Sequence, residues 1–286
     1  MHLTRTDDHT AAIEALPDRV GLDSVWGDLD RRLRRTFAPG RAVRRAWTWQ
    51  GADRSDPQWW PQGICVVPGG RRLAVSWYAK TGGSRVSFLD LDARRYRHVS
   101  LVVPTAGGLA PLKVHAGGIA LHGRLLYVAA TKAGLWVCDT DDVVRGPEGY
   151  VLPVNHRLAA SEPFRFSFVG LSGDDLVVGE YDNAQGTKRL AHVGLDGGPR
   201  EVIEAGIARA QGAVRVGECW YVTASQGARK LGSIWSGPAG ALREHRYAVP
   251  MGPEDLAHDP ATDRLWTVTE HPRRRWVIAL DRARLS

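Results

Sequence analysis

Residues able to move protons or hold a polar ligand recur at fixed places in this chain, where apolar, strand-like stretches begin and end. At the beginnings stand Trp59, Trp60 and Gln62, then His115, Arg165 and Ser167, Gln211, and finally Glu254 and Asp255. At the far ends of the strands that follow stand Trp77, Tyr78 and Lys80, Thr131 and Lys132, Glu180, Tyr181 and Asn183, Ser225 and Gln226, and Glu270 and His271. Glu254, Asp255, Glu180 and Glu270 are the candidate general acids and bases, because burial beside aromatic rings lifts a carboxyl pKa toward neutrality. His115 is a candidate proton shuttle or oxyanion partner, as an imidazole titrates near neutral pH. Gln62 and Gln211 are suited to orienting a ligand. Trp59, Trp60, Trp77, Tyr78 and Tyr181 would wall a site for a flat aromatic or cationic organic molecule. Arg165, Ser167, Gln226 and His271 complete the expected substrate contacts. The same acids, with Asn183, also offer hard oxygens to a divalent cation. His115 with two acids would suit a transition metal.

The elements that must bring these residues together are repeats. Gly63, Gly118, Gly170, Gly212 and Asp255 mark five copies of one pattern, spaced by 55, 52, 42 and 43 residues. Each copy has an apolar strand, a tight polar turn and a second strand: Gln62–Lys80, His115–Lys132, Phe168–Asn183, Gln211–Gln226 and Glu254–His271. A third strand follows in each. Repeats of this length with Val, Ile, Leu, Trp and Tyr in the strands fit four-stranded propeller blades. The expectation is an all-β, five-bladed β-propeller. Its last repeat lacks an outer strand, and Ala42–Trp49 is free to supply it and close the ring. Residues 1–41 then form an extension and residues 42–286 the propeller. In the extension, Leu22, Val25, Trp26, Leu29, Leu33 and Phe37 recur at helical spacing, which predicts an amphipathic helix from Gly21 to Phe37 packed across one face. In such a ring, strand-one starts and strand-two ends gather on one face around the axis. Gly at the anchor positions suits close packing there, so Asp255 is the exception. It either points into the channel or hydrogen-bonds between blades.

Several stretches resemble a family of bacterial five-bladed β-propeller proteins, many of them secreted. They are Trp59–Ile64, Tyr96–Val99, Val114–Ile119, Arg165–Val169, Val178–Tyr181, Gln211–Ala213 and Gly252–Leu256, with Leu265–Pro272. The likeness runs from about Asp56 to the C-terminus and implies a fold and a pocket, without an assigned reaction.

Other function classes are disfavoured. The net charge of +7 invites nucleic acid, but only five of the 38 basic residues are lysine, and the arginine clusters at 31–35 and 273–275 lack interleaved aromatic residues. No apolar run is long enough to span a membrane, and the N-terminal stretch has no signal-peptide core. Three scattered cysteines argue against a disulfide framework and for a cytoplasmic location. There is no nucleotide-binding glycine loop, no Gly-x-Ser-x-Gly elbow and no local metal motif. The favoured reading is a small-molecule-binding propeller doing cofactor-free acid–base chemistry (isomerisation, cyclisation, elimination or hydrolysis), of the kind found in specialised metabolism. The alternatives are a metal-dependent, lactonase-like hydrolase with a divalent ion at the axial mouth, and a non-catalytic scaffold that binds protein at its rim.

Overall fold

Strand formation follows the turn chemistry closely. Among the hairpins that join the first and second strands of a repeat, three close through two-residue turns, at Gly123-Arg124, Gly173-Asp174 and Gly217-Glu218. In each the glycine takes the first turn position at φ near +60° (57°, 60° and 59°), a region that favours residues without a Cβ. The computed structural model describes residues 1–182 and 186–285. The chain is all-β with a few short helices.

The strands of the described residues form four hydrogen-bonded sheets. The largest contains two antiparallel runs. The first run is Trp59–Val67, Arg72–Ala79, Ser84–Asp90 and Arg95–Thr105; the second is Ile119–His122, Leu125–Ala129, Leu135–Asp139 and Gly149–Ala160. They join where Tyr150–Pro153 lies parallel to Val99–Val102. The third run begins at Phe168–Ser172 and ends at Pro199–Glu204; the fourth begins at Ala210–Val216 and ends at Arg243–Val249. The fifth is Pro253–Asp259, Arg264–Thr269 and Trp276–Asp281, completed by Val43–Thr48, which pairs antiparallel with Trp276–Asp281. The upstream stretch left without a repeat of its own thus supplies an outer strand to the last.

The first strand of each run touches the first strand of the next, and the fifth touches the first. Buried apolar side chains fill the space between neighbouring runs. Val86, Val99, Ile119 and Leu126 pack between the first and second. Leu135, Val137, Val169 and Val178 lie between the second and third, and Phe168, Val177, Trp220 and Val222 between the third and fourth. Val214, Tyr221, Leu265 and Ile278 link the fourth to the fifth, and Trp47, Trp77, Trp266 and Val277 link the fifth back to the first. Truncating one of the fully buried tryptophans would cost about 3–5 kcal/mol.

The glycines at the ring's centre allow the close approach. A Cβ on Gly118 would lie 2.3 Å from the Val169 nitrogen, and one on Gly212 would lie 2.4 Å from the Asp255 Cα. Hydroxyls fasten neighbouring runs. Ser76 Oγ accepts from Gly63 N and donates to the Ala116 carbonyl, while Thr223 Oγ1 donates to the Glu254 carbonyl.

The first 41 residues depart from expectation. The helix spans only Gly21–Trp26 and stops at Gly27. Arg31–Arg32 then pairs with the outer strand of the first run, and Arg34–Thr36 pairs with Val43–Thr48. Free strand edges capture this segment. Val25 enters the core between the first two runs, Leu33 enters a different cluster, and Phe37 is 82% exposed. Of these apolar residues only Leu22, Val25 and Trp26 lie on the helix; Leu29, Leu33 and Phe37 follow it in non-helical chain rather than on one stripe. Leu3–Thr6 likewise pairs with Gly149–Ala160, so the extension is woven along the sheet edges.

Candidate functional site

Irregularities in the central strands aim side chains at the axis. Pairing slips between Pro61 and Ile64, between Ala210 and Gly212, and between Pro253 and Leu256. The slipped residues are Gln62-Gly63, Gln211 and Glu254-Asp255. Such bulges re-aim a side chain out of the regular pleat.

Gln62, Gln211 and Glu254 meet in one cavity of about 420 Å³. His115, Arg165 and Ser167 enter it from the segments leading into the second and third runs. Thr131, Lys132, Tyr181 and Glu270 enter from the ends of second strands. Gly117 completes the lining. It precedes Gly118 just as Gln62, Gln211 and Glu254 precede their anchors, and its bare position leaves room beside His115. A Cβ there would lie 2.1 Å from the Ser167 carbonyl oxygen. The signal for it was the paired glycine in His115–Ile119, which strand patterning alone does not single out. Thr131 holds φ +47°, an unfavourable region for a β-branched residue, and is pinned by its backbone bonds to Phe166.

The electrostatics centre on Glu254 and Glu270. Glu254 is buried, and its Oε1 lies 3.4 Å from the donating Nε2 of Gln211. Burial pushes its carboxyl well above the ordinary range, and the charges of Glu270 and Asp255 push the same way. Glu270 accepts from Gln62 Nε2 at 3.4 Å. Burial raises its pKa too, while Gln62, Arg275 and Lys80 hold the rise back. Arg275 is buried behind it and donates from Nε to the Glu270 carbonyl at 2.8 Å. His115 lies at the open rim with Tyr78 packed on its ring at 4.4 Å, and partial burial lowers its pKa. It is therefore neutral at neutral pH.

Asp255 lies deeper, fully buried on the axis. Its Oδ2 accepts from the Ile64 and Ile119 backbone nitrogens, each at 3.1 Å. It ties the fifth run to the first and second, which is the structural role open to it. Its Oδ1 is buried without a protein partner. Burial raises its pKa strongly against those backbone bonds.

The remaining candidates lie outside the cavity lining. Glu180 is clamped by Arg189, with Nη2 to Oε1 at 2.8 Å and Nε to Oε2 at 3.0 Å, and it also accepts from the Arg165 and Arg189 backbone nitrogens. Burial alone would raise its pKa, but these donors outweigh it and hold it down at about 2. With both oxygens engaged, Glu180 ties Arg189 to the segment entering the third run, outside the cavity lining. The tryptophan faces are occupied by the chain's own cations. Arg85 covers Trp59 at 4.2 Å, Lys80 covers Trp60 at 4.4 Å, and Arg85 and Arg275 approach the fully buried Trp77. Tyr181 alone of the five expected aromatic residues lines the cavity. His271 packs edge-on against Trp60 with Nδ1 3.6 Å from Glu270 Oε1, so it supports the site from behind. Gln226 is exposed outside the cavity. Asn183 lies outside the described residues. Among the described residues no three His, Cys, Asp or Glu side chains gather as a metal site.

No family model matches the chain, and no curated protein matches it by sequence. Solved structures do match. Glutaminyl cyclase of Myxococcus xanthus aligns over 88% of this chain and 97% of its own, at 12% identity and a TM-score of 0.51. A chain of a nidogen/laminin complex aligns over 90% of this chain and 91% of its own, at 9% identity and a TM-score of 0.50. At such identities the likeness is one of fold, and that fold is propeller-like. One neighbour is an enzyme and the other belongs to a protein complex, so the architecture leaves the function to the site.

Proposed function

We propose that the chain is a five-bladed β-propeller of the bacterial family its motifs resemble, and that its axial mouth does acid–base chemistry on a small polar molecule. Five antiparallel runs in cyclic contact and five intervening core layers support the blade count. The observation that carries the chemistry is the pair of buried or half-buried carboxyls, Glu254 and Glu270, on one cavity with unequal support. Groups whose surroundings push their proton affinities apart divide into acid and base. Glu254 has no cation beside it and holds its proton. Glu270 has Arg275 and Lys80 near it and is the better base.

In a turnover, Glu270 takes a proton from the substrate as Glu254 delivers one to the atom that gains electron density. Neutral His115 at the rim returns the proton between them. Isomerisation, cyclisation, elimination and hydrolysis all fit this exchange, and none needs an organic cofactor. A cavity with polar walls at the axis favours a small-molecule site over a protein-docking rim. The large exposed apolar residues, such as Phe37, Leu109 and Val202, belong to separate elements. Buried Cys65 and Cys138, with thiols that burial pushes up, suit a reducing cytoplasm and are inert.

The test is Glu254→Gln, compared with the wild type on a mixed small-metabolite extract followed by mass spectrometry. Wild type should deplete a defined mass feature about 10²–10⁴-fold faster than the variant. The wild-type rate should fall at low pH as Glu270 protonates and at high pH as Glu254 ionises. Equal depletion by both proteins would overturn the assignment.

A further inference from the structure

The cavity has two chemically opposite ends. Lys132 and Arg165 come from the end of the second run's second strand and the segment entering the third run, while Glu254 and Glu270 come from the fifth run. In a ring of five, the junction of the second and third members lies across the axis from the fifth. The cations thus face the carboxyls across the mouth. Arg165 gives one N–H to the neutral Tyr181 carbonyl at 2.8 Å, and among the described residues neither cation is ion-paired. Three other arginines of this region are engaged elsewhere: Arg189 holds Glu180, Arg85 meets Asp53, and Arg275 sits behind Glu270.

The acidic end offers acceptors. Gln62 and Gln211 turn their amide nitrogens to the carboxyls, which leaves their amide oxygens for a ligand. A molecule that matched both ends would bring an anion to the cations and N–H donors to the carboxyl side.

We infer that the mouth takes a small zwitterion, with a carboxylate seated on Lys132 and Arg165 and an amine-bearing, reacting end held between Glu254 and Glu270. This rests on the acid–base reading of the same cavity and names its substrate class. A guanidinium and an ammonium on one carboxylate give charge-assisted hydrogen bonds, roughly twice as strong as neutral ones. Docking the far end in this way also fixes the reacting centre, which is how binding remote from the chemistry aids the rate.

Three probes of one chain length separate the ends: 5-aminopentanoate, pentanoate and pentylammonium. Binding to the purified protein is read by calorimetry, for wild type, Lys132→Gln and the double variant Lys132→Gln/Arg165→Gln, each checked for native circular dichroism. Wild type should bind 5-aminopentanoate at least about tenfold more tightly than either single-charge probe. Each substitution should weaken both carboxylate probes, the double variant by about tenfold or more, and leave pentylammonium unchanged. No binding of 5-aminopentanoate at millimolar concentration would overturn the proposal, as would carboxylate binding that survives the double variant. Lys132→Gln keeps every backbone contact of Arg165, so it decides the matter if the double variant misfolds. These readouts need no turnover. Failure of the Glu254→Gln comparison would therefore sink the acid–base reading without touching the anion end, and the reverse also holds.

Discussion

Two regions of this protein concentrate ionisable groups, and they treat them in opposite ways. At the axial mouth, Glu254 and Glu270 share a cavity; Glu254 meets a neutral amide at 3.4 Å, and Glu270 meets another at 3.4 Å with His271 Nδ1 3.6 Å away. Beside the first run, Asp53, from the short helix ahead of it, is as buried as Glu254 but surrounded by partners. Tyr96 donates to it, Arg31 and Arg85 approach at 3.1 and 3.3 Å, and His98 Nε2 lies 3.1 Å from Oδ1. The chain continues inward. Trp77 Nε1 donates to Ser87 Oγ, and Ser87 donates to His98 Nδ1, both at 2.7 Å. Serine, histidine and aspartate in that order invite a hydrolase reading. However, Ser87 is fully buried and does not line the axial cavity. Burial of an acid is thus no mark of chemistry by itself. What separates the regions is whether the charged form has been given partners.

The largest expected effect comes from breaking the satisfied region. Asp53→Asn would leave Arg31 and Arg85 facing an amide and take the anion from His98. Removing one member of a buried, paired set costs about 3–5 kcal/mol, because the others stay buried without their charge. Urea titration should show a loss of stability of that size, and Glu254→Gln should show no loss. A small Asp53→Asn effect would mean the network is worth no more than a surface pair.

Next comes pH, where the two regions should pull in opposite directions. Burial lowers His98 to about 4 against the Asp53 contact that favours its charge. An unfolded histidine takes up its proton near pH 6.5. Stability from this residue is therefore whole above about 6.5, falls as pH drops toward about 4, and then levels, a change on the order of 3 kcal/mol. Asp53 is held below the usual range, so it adds a further loss in still stronger acid. Glu254 has the other sign. Its folded carboxyl keeps a proton that the unfolded one loses near pH 4.3, so it lowers stability as pH rises above that. In denaturation curves from pH 4 to 8, Glu254→Gln should gain more stability with rising pH than wild type does. Glu254→Gln should be more stable than wild type at pH 8 and equal to it at pH 4. A variant no more stable at pH 8 would show that Glu254 is ionised in the fold.

The same contrast explains what the sequence could reveal. The axial residues were legible because a repeat fixes them. Gln62, Gln211 and Glu254 occupy one register position beside a glycine or Asp255, so closing the ring carries them to one cavity. Glu180 occupies a matching strand end but lies outside the cavity lining, since its placement depends on Arg189 in the neighbouring strand, and neither pattern nor spacing announces that pairing. The same holds for the tryptophans. Their positions at the rim were readable, but Arg85, Lys80 and Arg275 over their faces were not. The Asp53–His98–Ser87–Trp77 chain was invisible, because one member comes from the segment ahead of the first run and the others from three adjacent strands. The helix expected over 21–37 failed for a related reason. Apolar spacing cannot tell one continuous stripe from short pieces captured by separate sheet edges.

A third cluster sharpens the comparison with the smallest effect. Asp263 meets Arg282 Nη2 at 2.6 Å and His258 Nε2 at 3.1 Å, so it repeats the aspartate, arginine and histidine of the Asp53 network. Its side chain is 56% exposed where that of Asp53 is 6% exposed. The Arg282 and His258 contacts hold its carboxyl down at about 2. Solvent screens an exposed pair, and such bridges contribute about 0–1 kcal/mol. Asp263→Asn should therefore shift the urea midpoint by less than 1 kcal/mol equivalent, and added salt should erase even that. A loss matching that of Asp53→Asn would show that residue types and contacts set the energetics here. The expected gap between the two variants would show that burial does, with the same chemistry in both places.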